Sequence, residues 1–255
     1  MQDGGDPMGG PVDQTERHAA RIDKLAKRQI ARFRQAARGV YPRHCPLCGY
    51  YGKFPAYGAP PRFDARCGAC GALERHRLFK LYIDREAPFA ADHAVLHVAP
   101  EAVIRKVVEP KVARYESADL SDRLSPTHQV NIEETGLPDG SYDRIICSHV
   151  IEHVDDTKAL AEMYRLLAPG GIAFLATPVC EGWAKTYENP DITTRDLRKV
   201  HFAQGDHVRY YGRDVRDRIR AAGFELEEFP SVEPDVLTYG LMRGETLFIA
   251  RKPAG

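Results

Sequence analysis

The chain has 255 residues, of which 43% are hydrophobic and 28% are charged, as in an ordinary globular protein. Its formal net charge is zero, so overall charge does not indicate nucleic acid or any other charged partner. No apolar run approaches the ~20 residues that a membrane span needs, so we expect no membrane span and a cytoplasmic protein with reduced thiols.

The start of the chain predicts a tail followed by a basic helix. Residues 1–14 are rich in Gly, Pro and Asp without the apolar segment of a secretion signal, so we expect a disordered tail. Residues 15–42 predict an amphipathic helix with an apolar stripe and a basic face. We interpret the basic face as the solvated side of a packed helix; the alternative is contact with nucleic acid or an acidic partner.

Two closely spaced pairs of cysteines follow. They are Cys45 and Cys48, then Cys67 and Cys70. The spacing C-x2-C-x18-C-x2-C predicts a four-thiolate zinc site, and Gly49 and Gly71 let the backbone turn back after each pair. Because protein fills all four positions, the zinc would be structural, in a ribbon over residues 43–72. The alternatives are a redox dithiol or two unrelated pairs.

Several aromatic residues lie between the two cysteine pairs. They are Tyr50, Tyr51, Phe54, Tyr57 and Phe63. We interpret them as the small core of the ribbon; the alternative is a stacking surface for bases or sugars. Residues 73–92 then predict an amphipathic helix that connects the ribbon to a larger domain over residues 93–255.

The larger domain begins with three predicted strands. The apolar run Ala94–Val98 is the first, and the turn after it, residues 99–102, lacks the glycines of a nucleotide loop. The second ends at Asp119, where a carboxylate roughly 20 residues past the first turn can accept both ribose hydroxyls. An aspartate that only caps the next turn is the alternative. Residues 129–132 are the third predicted strand.

Residues 137–178 predict one strand–helix–strand crossover of a parallel sheet. An apolar strand covers Tyr142–Ser148, a helix begins near Asp155, and the Pro-Gly-Gly run at 169–171 ends it before a strand over 172–177. A polar cluster follows the carboxyl end of the first strand: Ser148, His149, Glu152 and His153. In an open parallel sheet that end faces a ligand crevice.

Three motifs in this region resemble those of one enzyme family. They are Leu137-Pro138-Asp139, His149-Val150-Ile151-Glu152-His153-Val154 and Leu166-Leu167-Ala168-Pro169-Gly170-Gly171. They are similar to class I S-adenosylmethionine-dependent methyltransferases, in particular the type 11 branch. A subgroup of that branch with an N-terminal zinc ribbon is also similar at residues 97–101 and 202–212. The resemblance implies an α/β, Rossmann-like, seven-stranded sheet, mostly parallel with the last strand antiparallel.

The resemblance also implies S-adenosylmethionine as cofactor and a set of residues around it. That set is His97, Ala99, Glu101, Asp119, Leu120, Asn131, Ile132, Ser148 and His149. Asp119 would hold the ribose, Asn131 the adenine amino group, and Ile132 would pack on the adenine. Glu101 would bind the cofactor's amino group or act only as a first-turn helix acid.

Residues 183–212 are predicted to form a lid on the acceptor side. Histidine can take a proton from the acceptor, so the candidate bases are His207 first, then His149 and His153. Asp206, Arg209 and Tyr210 are the candidate acceptor-binding residues; Asp206 could orient an imidazole and Arg209 could clamp an anion. In the alternative, His207 and Arg209 hold the loop in place. A helix over 214–222 and strands over 224–229 and 246–251 complete the prediction.

Three functions remain open on the sequence. The first is a methyltransferase acting on a small molecule or glycan, at oxygen. The second is an RNA methyltransferase that uses the ribbon and the basic helix to bind its substrate. The third is a non-enzymatic zinc-ribbon binding protein with a degenerate methyltransferase domain, for which the glycine-free turn is the main support. Oligomeric state is not predicted.

Overall fold

The structure is a computed structural model that describes residues 11–123 and 125–255. The helices are α1 Pro11–Ala37, α2 Glu74–Glu86, α3 Ala102–Val108, α4 Asp156–Leu166, α5 Arg195–Phe202, α6 Val215–Ala221 and α7 Asp235–Tyr239, with 3-10 turns at Glu109–Lys111 and Ile151–His153. The strands are β1 Pro42–His44, β2 Tyr51–Lys53, β3 Ala94–Val98, β4 Arg114–Asp119, β5 His128–Gln129, β6 Tyr142–Ser148, β7 Leu167–Ala176, β8 Tyr187–Glu188, β9 Arg209–Tyr210, β10 Glu225–Pro230 and β11 Thr246–Arg251. Of the predicted tail, residues 1–10 lie outside the described residues, and residues 11–14 belong to α1.

The larger domain contains a seven-stranded sheet in the order β10-β11-β7-β6-β3-β4-β5. Strands β5, β4, β3, β6 and β7 pair in parallel, whereas β11 is antiparallel to both β7 and β10. This confirms the predicted topology. The chain moves from β3 outward to β4 and β5 and then returns to β6 on the other side of β3. That reversal opens a crevice at the carboxyl ends of β3 and β6.

Each face of the sheet is covered by its own apolar cluster. On one face, α4 and α6 pack through residues such as Leu160 and Ile219. On the other, α2 and α3 pack through Phe79 and Ile104, and Phe79 contacts Phe174 of β7 with ring centroids 5.2 Å apart. The predicted connecting helix is therefore part of the main core.

Two local predictions in the sheet are wrong. Helix α4 ends at Leu166 and β7 begins at Leu167, so the Pro-Gly-Gly run at 169–171 lies inside a strand, where the pairing with β6 is irregular. A Cβ on Gly171 would lie 2.8 Å from the Ala168 carbonyl oxygen, so close packing favours glycine there. The third strand is only His128–Gln129, because Asn131 pairs locally with Glu134 in a turn.

The ribbon is a β1–β2 hairpin attached to the larger domain through Arg77 of α2. Phe54 is fully buried and stacks on Tyr50, as predicted, whereas Tyr51, Tyr57 and Phe63 are exposed. Arg77 is also fully buried, with its guanidinium 4.7 Å from the centre of the Phe54 ring. It donates to the carbonyl oxygens of Ala72 in the ribbon and of Tyr239 and Gly240 in the domain, at 2.7, 2.7 and 2.5 Å.

Helix α1 does not pack as predicted. The side chains of its apolar stripe are exposed by 49–65% at Ile22, Leu25, Ile30 and Phe33. Phe33 meets the exposed Phe63 of the ribbon edge-on, with centroids 5.7 Å apart. Of the helices in the described part of the chain, none is long and apolar enough to cross a membrane.

The predicted lid is a folded element rather than an open loop. It consists of α5 between the paired strands β8 and β9. Phe202 is fully buried, and the rings of Tyr187 and Tyr210 lie 5.5 and 6.3 Å from it. The lid therefore has an aromatic core of its own.

Candidate functional site

The four predicted zinc ligands come together in the ribbon. The Sγ atoms of Cys45 and Cys70, and those of Cys48 and Cys67, are each 3.7 Å apart. A tetrahedron with Zn–S bonds of ~2.3 Å has S–S edges of about 3.8 Å, which these distances match. Burial raises the pKa of the Cys45 thiol, so a cluster of thiolates here requires a cation.

The backbone around the thiols is the same in both halves of the cluster. Gly49 N–H donates to the Cys45 carbonyl at 2.9 Å, and Gly71 N–H to the Cys67 carbonyl at 3.0 Å. The two glycines have φ of 74° and 76°, in the region that other residues rarely adopt. The two C-x2-C-Gly turns thus have the geometry that the sequence predicted.

The turn after β3 has a glycine-like conformation although it contains no glycine. Ala99 has φ of 48° and donates its N–H to the Ala118 carbonyl of β4 at 2.8 Å. A left-handed Ala costs about 1 kcal/mol, so the surrounding hydrogen bonds must hold the turn in place. The turn thus has the left-handed backbone that a glycine usually supplies, with the Ala99 methyl group in addition.

Asp119 lies at the carboxyl end of β4, next to this turn. Its Oδ1 accepts a hydrogen bond from the Ser121 N–H at 2.7 Å, the capping role that the sequence left open. A carboxylate has several further acceptor positions, so this bond does not preclude binding a ribose. The next residue, Leu120, presents an apolar side chain that is 72% exposed.

His97 and Glu101 support the turn rather than open into a cavity. His97 is fully buried; its Nε2 accepts from the Glu101 N–H at 3.4 Å, so its Nδ1–H donates to the Tyr115 hydroxyl at 2.7 Å. Burial lowers the His97 pKa to about 4, so the ring is neutral. A direct contact of His97 with a cofactor, as we expected, does not fit this burial.

The Glu101 carboxylate is engaged by α2. It accepts from Arg75 Nη2 and from His76 Nε2, both at 2.6 Å. The Glu101 pKa falls to about 2: burial alone would raise it, but hydrogen bonds and charge from His76 and Arg75 outweigh the burial. Since the Glu101 carboxylate bridges two elements, its predicted contact with the cofactor's amino group would compete with this ion pair.

The predicted adenine contacts are divided between surface and core. Asn131 is exposed, with its Oδ1 accepting from the Glu133 N–H at 3.1 Å. Ile132 is buried in the cluster under α4, so an adenine could reach only its edge. Ser148 ends β6 beside Arg75 and Glu101.

A cavity of about 780 Å³ lies between the ribbon, the start of α2 and the lid. Arg62 borders it from the ribbon, Arg75 from α2, His149 from the end of β6 and Asp206 from the lid. It therefore opens directly onto the strand ends, and charges of both signs line it. Its volume is in the range of pockets that bind small molecules.

Of the three candidate bases, His149 faces this cavity. It has φ of 55°, and its Nδ1 lies 3.1 Å from Glu152 Oε1. His207, ranked first on the sequence, is only 3% exposed, its ring is 4.6 Å from that of His153, and burial lowers its pKa. A buried ring cannot reach an acceptor in the cavity, so His149 becomes the better candidate.

The three acceptor-binding candidates do not lie in one place: Arg209 and Tyr210 are packed within the lid, and Asp206 borders the cavity. The Arg209 guanidinium is buried and donates to the carbonyl oxygens of Ile151 and Val154 and to Glu188, at 2.9, 2.6 and 2.8 Å. These are the contacts of the alternative role, in which Arg209 holds the lid, and an anion clamp would have to break them. Tyr210 packs in the aromatic core of the lid, whereas Asp206 borders the cavity.

Glu245, at the start of β11, is a site residue that the sequence analysis missed. It borders the cavity, and its Oε2 is buried without a hydrogen-bond partner among the described residues. Burial, reinforced by Glu74, raises its pKa from 4.5 to about 7, while His149, Arg75 and Arg62 oppose the rise. Such a perturbed acid in a cleft is typical of functional sites. Its sequence context, Gly-Glu-Thr before an apolar strand, gave no signal.

Glu245 should make stability fall as pH rises from about 4.5 to about 7. The folded state holds a proton that the unfolded state has lost in that window, so folding becomes less favourable with increasing pH. We expect Glu245→Gln to match the wild type at pH 5 and to exceed its unfolding free energy at pH 8 by roughly 2–3 kcal/mol. Urea unfolding at pH 5 and pH 8 measures this. If the variant and the wild type differed in unfolding free energy by the same amount at both pH values, the prediction would be wrong. Glu225→Gln, on exposed β10, is the control.

Comparison with known proteins adds to this geometry. Residues 43–228, which include the ribbon, match the family model described as "Methyltransferase domain". The chain is 28% identical over 119 residues to a probable S-adenosylmethionine-dependent methyltransferase of Mycolicibacterium smegmatis, covering 46% of the chain and 38% of that relative. It is 41% identical over 83 residues to a ubiquinone/menaquinone biosynthesis C-methyltransferase of Psychromonas ingrahamii, covering 31% of the chain and 33% of that relative.

The match therefore spans less than half of either curated relative. Among solved structures, an S-adenosylmethionine-dependent methyltransferase from Mesorhizobium loti aligns with a TM-score of 0.51 and 15% identity, over 69% of this chain and 98% of that one. At that identity the alignment shows a shared fold. The type 11 branch and the zinc-ribbon subgroup remain predictions.

Proposed function

The chain belongs to the methyltransferase-domain family, and on that premise we propose that it transfers a methyl group from S-adenosylmethionine to a small polar acceptor. The observation that carries the proposal is the cavity of about 780 Å³ that opens onto the carboxyl ends of the central strands and is bordered by the lid. The crevice and the cavity share the end of β6, which is the arrangement that in-line transfer needs.

The residues of the crevice fit the cofactor. Ala99 offers a left-handed turn that brings the backbone close, Asp119 offers a carboxylate for the ribose, and the exposed Leu120 offers an apolar surface for the adenine. When bound, S-adenosylmethionine supplies an electrophilic methyl group on a sulfonium. We propose that Asp119 and Leu120 orient it while Ser148 and His149 border the reacting end.

Substitution of Asp119 tests the cofactor assignment. We expect Asp119→Ala to weaken S-adenosylmethionine binding about 100-fold, because two ribose hydroxyls lose a charged acceptor worth roughly 1.5–3 kcal/mol. Titration calorimetry of the intact protein measures this. Asp122→Ala, an exposed acid three residues further along, should bind as the wild type does. Equal affinity of both variants and the wild type would refute the assignment.

For the acceptor we propose a small molecule or glycan that presents a hydroxyl. Mixed charges border the cavity, with Arg62 and Arg75 opposite Glu245 and Asp206. His149 borders the same space and is the candidate base, with Nε2 as the atom that takes the hydroxyl proton. Such proton transfer typically accelerates a reaction by 10²–10⁴.

An RNA acceptor is the second candidate, supported by the exposed basic face of α1. Methyl-transfer screening with labelled S-adenosylmethionine separates the candidates: label in a small-molecule or glycan fraction supports the first, and label in RNA the second. RNA binding that falls steeply with salt, and that neutralising Lys24, Lys27, Arg28 and Arg32 removes, would also favour the second. Absence of cofactor binding would favour a non-enzymatic binding protein with a degenerate domain.

We propose a structural Zn²⁺ in the ribbon, held by Cys45, Cys48, Cys67 and Cys70. The support is the match of the two 3.7 Å Sγ–Sγ distances to a zinc tetrahedron. A redox dithiol needs one pair of cysteines set apart from other thiols. Here all four sulfurs lie within 4.8 Å of one another, which favours a shared metal ion. A cytoplasmic location agrees with free thiols and remains a prediction.

A further inference from the structure

A second group of metal-ligand side chains lies where the lid meets the end of β6. Glu152 and His153 stand on the 3-10 turn after β6, and His207 precedes β9 in the lid. One ligand atom from each of the three lies within 4.8 Å of those from the other two. None of these residues is a ligand of the ribbon zinc.

Two atoms of this group are buried without a hydrogen-bond partner among the described residues. Glu152 is 1% exposed and its Oε1 has no partner; His207 is 3% exposed and its Nδ1 has none. The other Glu152 oxygen, Oε2, accepts from Thr177 Oγ1 at 3.0 Å, so the carboxylate is held with Oε1 toward the histidines. The His149 Nδ1 is 3.1 Å from Oε1 but is not aligned as a hydrogen-bond donor to it.

Buried polar atoms without a hydrogen-bond partner are rare, because each loses its bonds to water on folding and regains none. Two of them, converging in one cluster, indicate a missing partner that accepts electron pairs from both a carboxylate oxygen and an imidazole nitrogen. A metal cation has that property. A bridging water could donate one hydrogen bond to each of the two atoms, but unlike a cation it carries no charge to offset that of the buried carboxylate.

We propose that Glu152, His153 and His207 bind a divalent transition-metal ion, of the Zn²⁺ or Fe²⁺ class. Two imidazoles and one carboxylate suit these ions, whereas Mg²⁺ and Ca²⁺ prefer oxygen ligands throughout. His207 comes from the lid, and the other two residues come from the turn after the central strand β6. The ion would therefore hold the lid against the crevice. The proposal does not depend on methyl transfer.

Metal content of the full-length protein tests the site. After dialysis against metal-free buffer and reloading with Zn²⁺ alone, we expect about two equivalents per chain, of which the ribbon accounts for one. X-ray absorption at the zinc edge should then show nitrogen or oxygen neighbours near ~2.0–2.1 Å in addition to sulfur near ~2.3 Å. About one equivalent with sulfur neighbours only would overturn the proposal.

Three variants assign the second equivalent. His207→Ala and the shape-conserving Glu152→Gln should each retain about one equivalent, with the sulfur shell unchanged. His201→Ala, an exposed lid histidine that contacts Tyr187, should retain both. Because Glu152→Gln keeps the volume of the side chain, it remains informative if His207→Ala fails to fold. Retention of the second equivalent in Glu152→Gln, or its loss in His201→Ala, would place the ion elsewhere.

Discussion

Replacing Cys45 by serine is expected to unfold residues 43–72 and to release the ribbon metal. Cys45 is fully buried, and the free energy of binding a structural zinc, about 10 kcal/mol or more, is the folding free energy of such a small module. Three weakened thiolate ligands and the few buried side chains around Phe54 cannot replace it. Zinc analysis and limited proteolysis within residues 43–72 measure the loss.

Cys180→Ser is the matched control. Cys180 lies outside the quartet, so this variant should keep both its zinc and its resistance to proteolysis. If Cys45→Ser kept the ribbon zinc and resisted protease as the wild type does, the structural assignment of the quartet would fail. Arg62 and Tyr57 form one wall of the cavity, so unfolding of the ribbon would also open the cavity on that side.

Replacing Arg77 by methionine should destabilise the whole protein by about 3 kcal/mol or more, since three buried carbonyl groups lose their donor. Those carbonyls belong to the ribbon and to the α7 end of the domain, so the loss separates the two parts. Burial lowers the pKa of the Arg77 guanidinium; the Glu74 charge opposes this most, followed by Cys45 and Cys67 of the quartet. The proposed zinc with four thiolates would carry net negative charge, which this guanidinium would balance.

Urea unfolding measures the effect of Arg77→Met, and Arg85→Met on the same helix is the control. Arg85 pairs with Asp235 at 2.8 Å, but its side chain is 44% exposed. Exposed pairs contribute about 0–1 kcal/mol, so the control should change stability little. Similar losses in the two variants would mean that Arg77 does not hold the ribbon to the domain.

Local patterns predicted those elements whose cause is local. Strands Ala94–Val98, Tyr142–Ser148 and Thr246–Arg251 agree with their predicted bounds, because short apolar runs between turn residues adopt few other structures. Helix α4 begins after Asp155, whose side chain accepts from the Thr157 and Lys158 N–H groups as an N-cap does. The cysteine spacing likewise determined a cluster that needs only two tight turns.

The roles of polar side chains depended on distant parts of the chain. Nothing near Arg77 or Glu245 in sequence marks them, because part of their surroundings comes from residues more than a hundred positions away, such as Tyr239 for Arg77 and Arg62 for Glu245. His207 and Arg209 look like catalytic residues in a linear motif, yet packing of the lid buries both. Helix α1 shows the opposite case. Its apolar stripe predicts packing, but among the described residues no apolar surface buries it.

The sequence by itself thus determined the order of the main sheet strands, the sheet topology that the family resemblance implies, and the thiol cluster. Hydrophobic period, turn residues and short spacings act over a few residues, so they can be read without coordinates. Only the tertiary structure decided which titratable groups share the cavity and which are sealed in the lid. Burial and electrostatic environment are sums over the folded neighbourhood. His207 and Glu245 come near His149 only when the sheet, ribbon and lid have assembled.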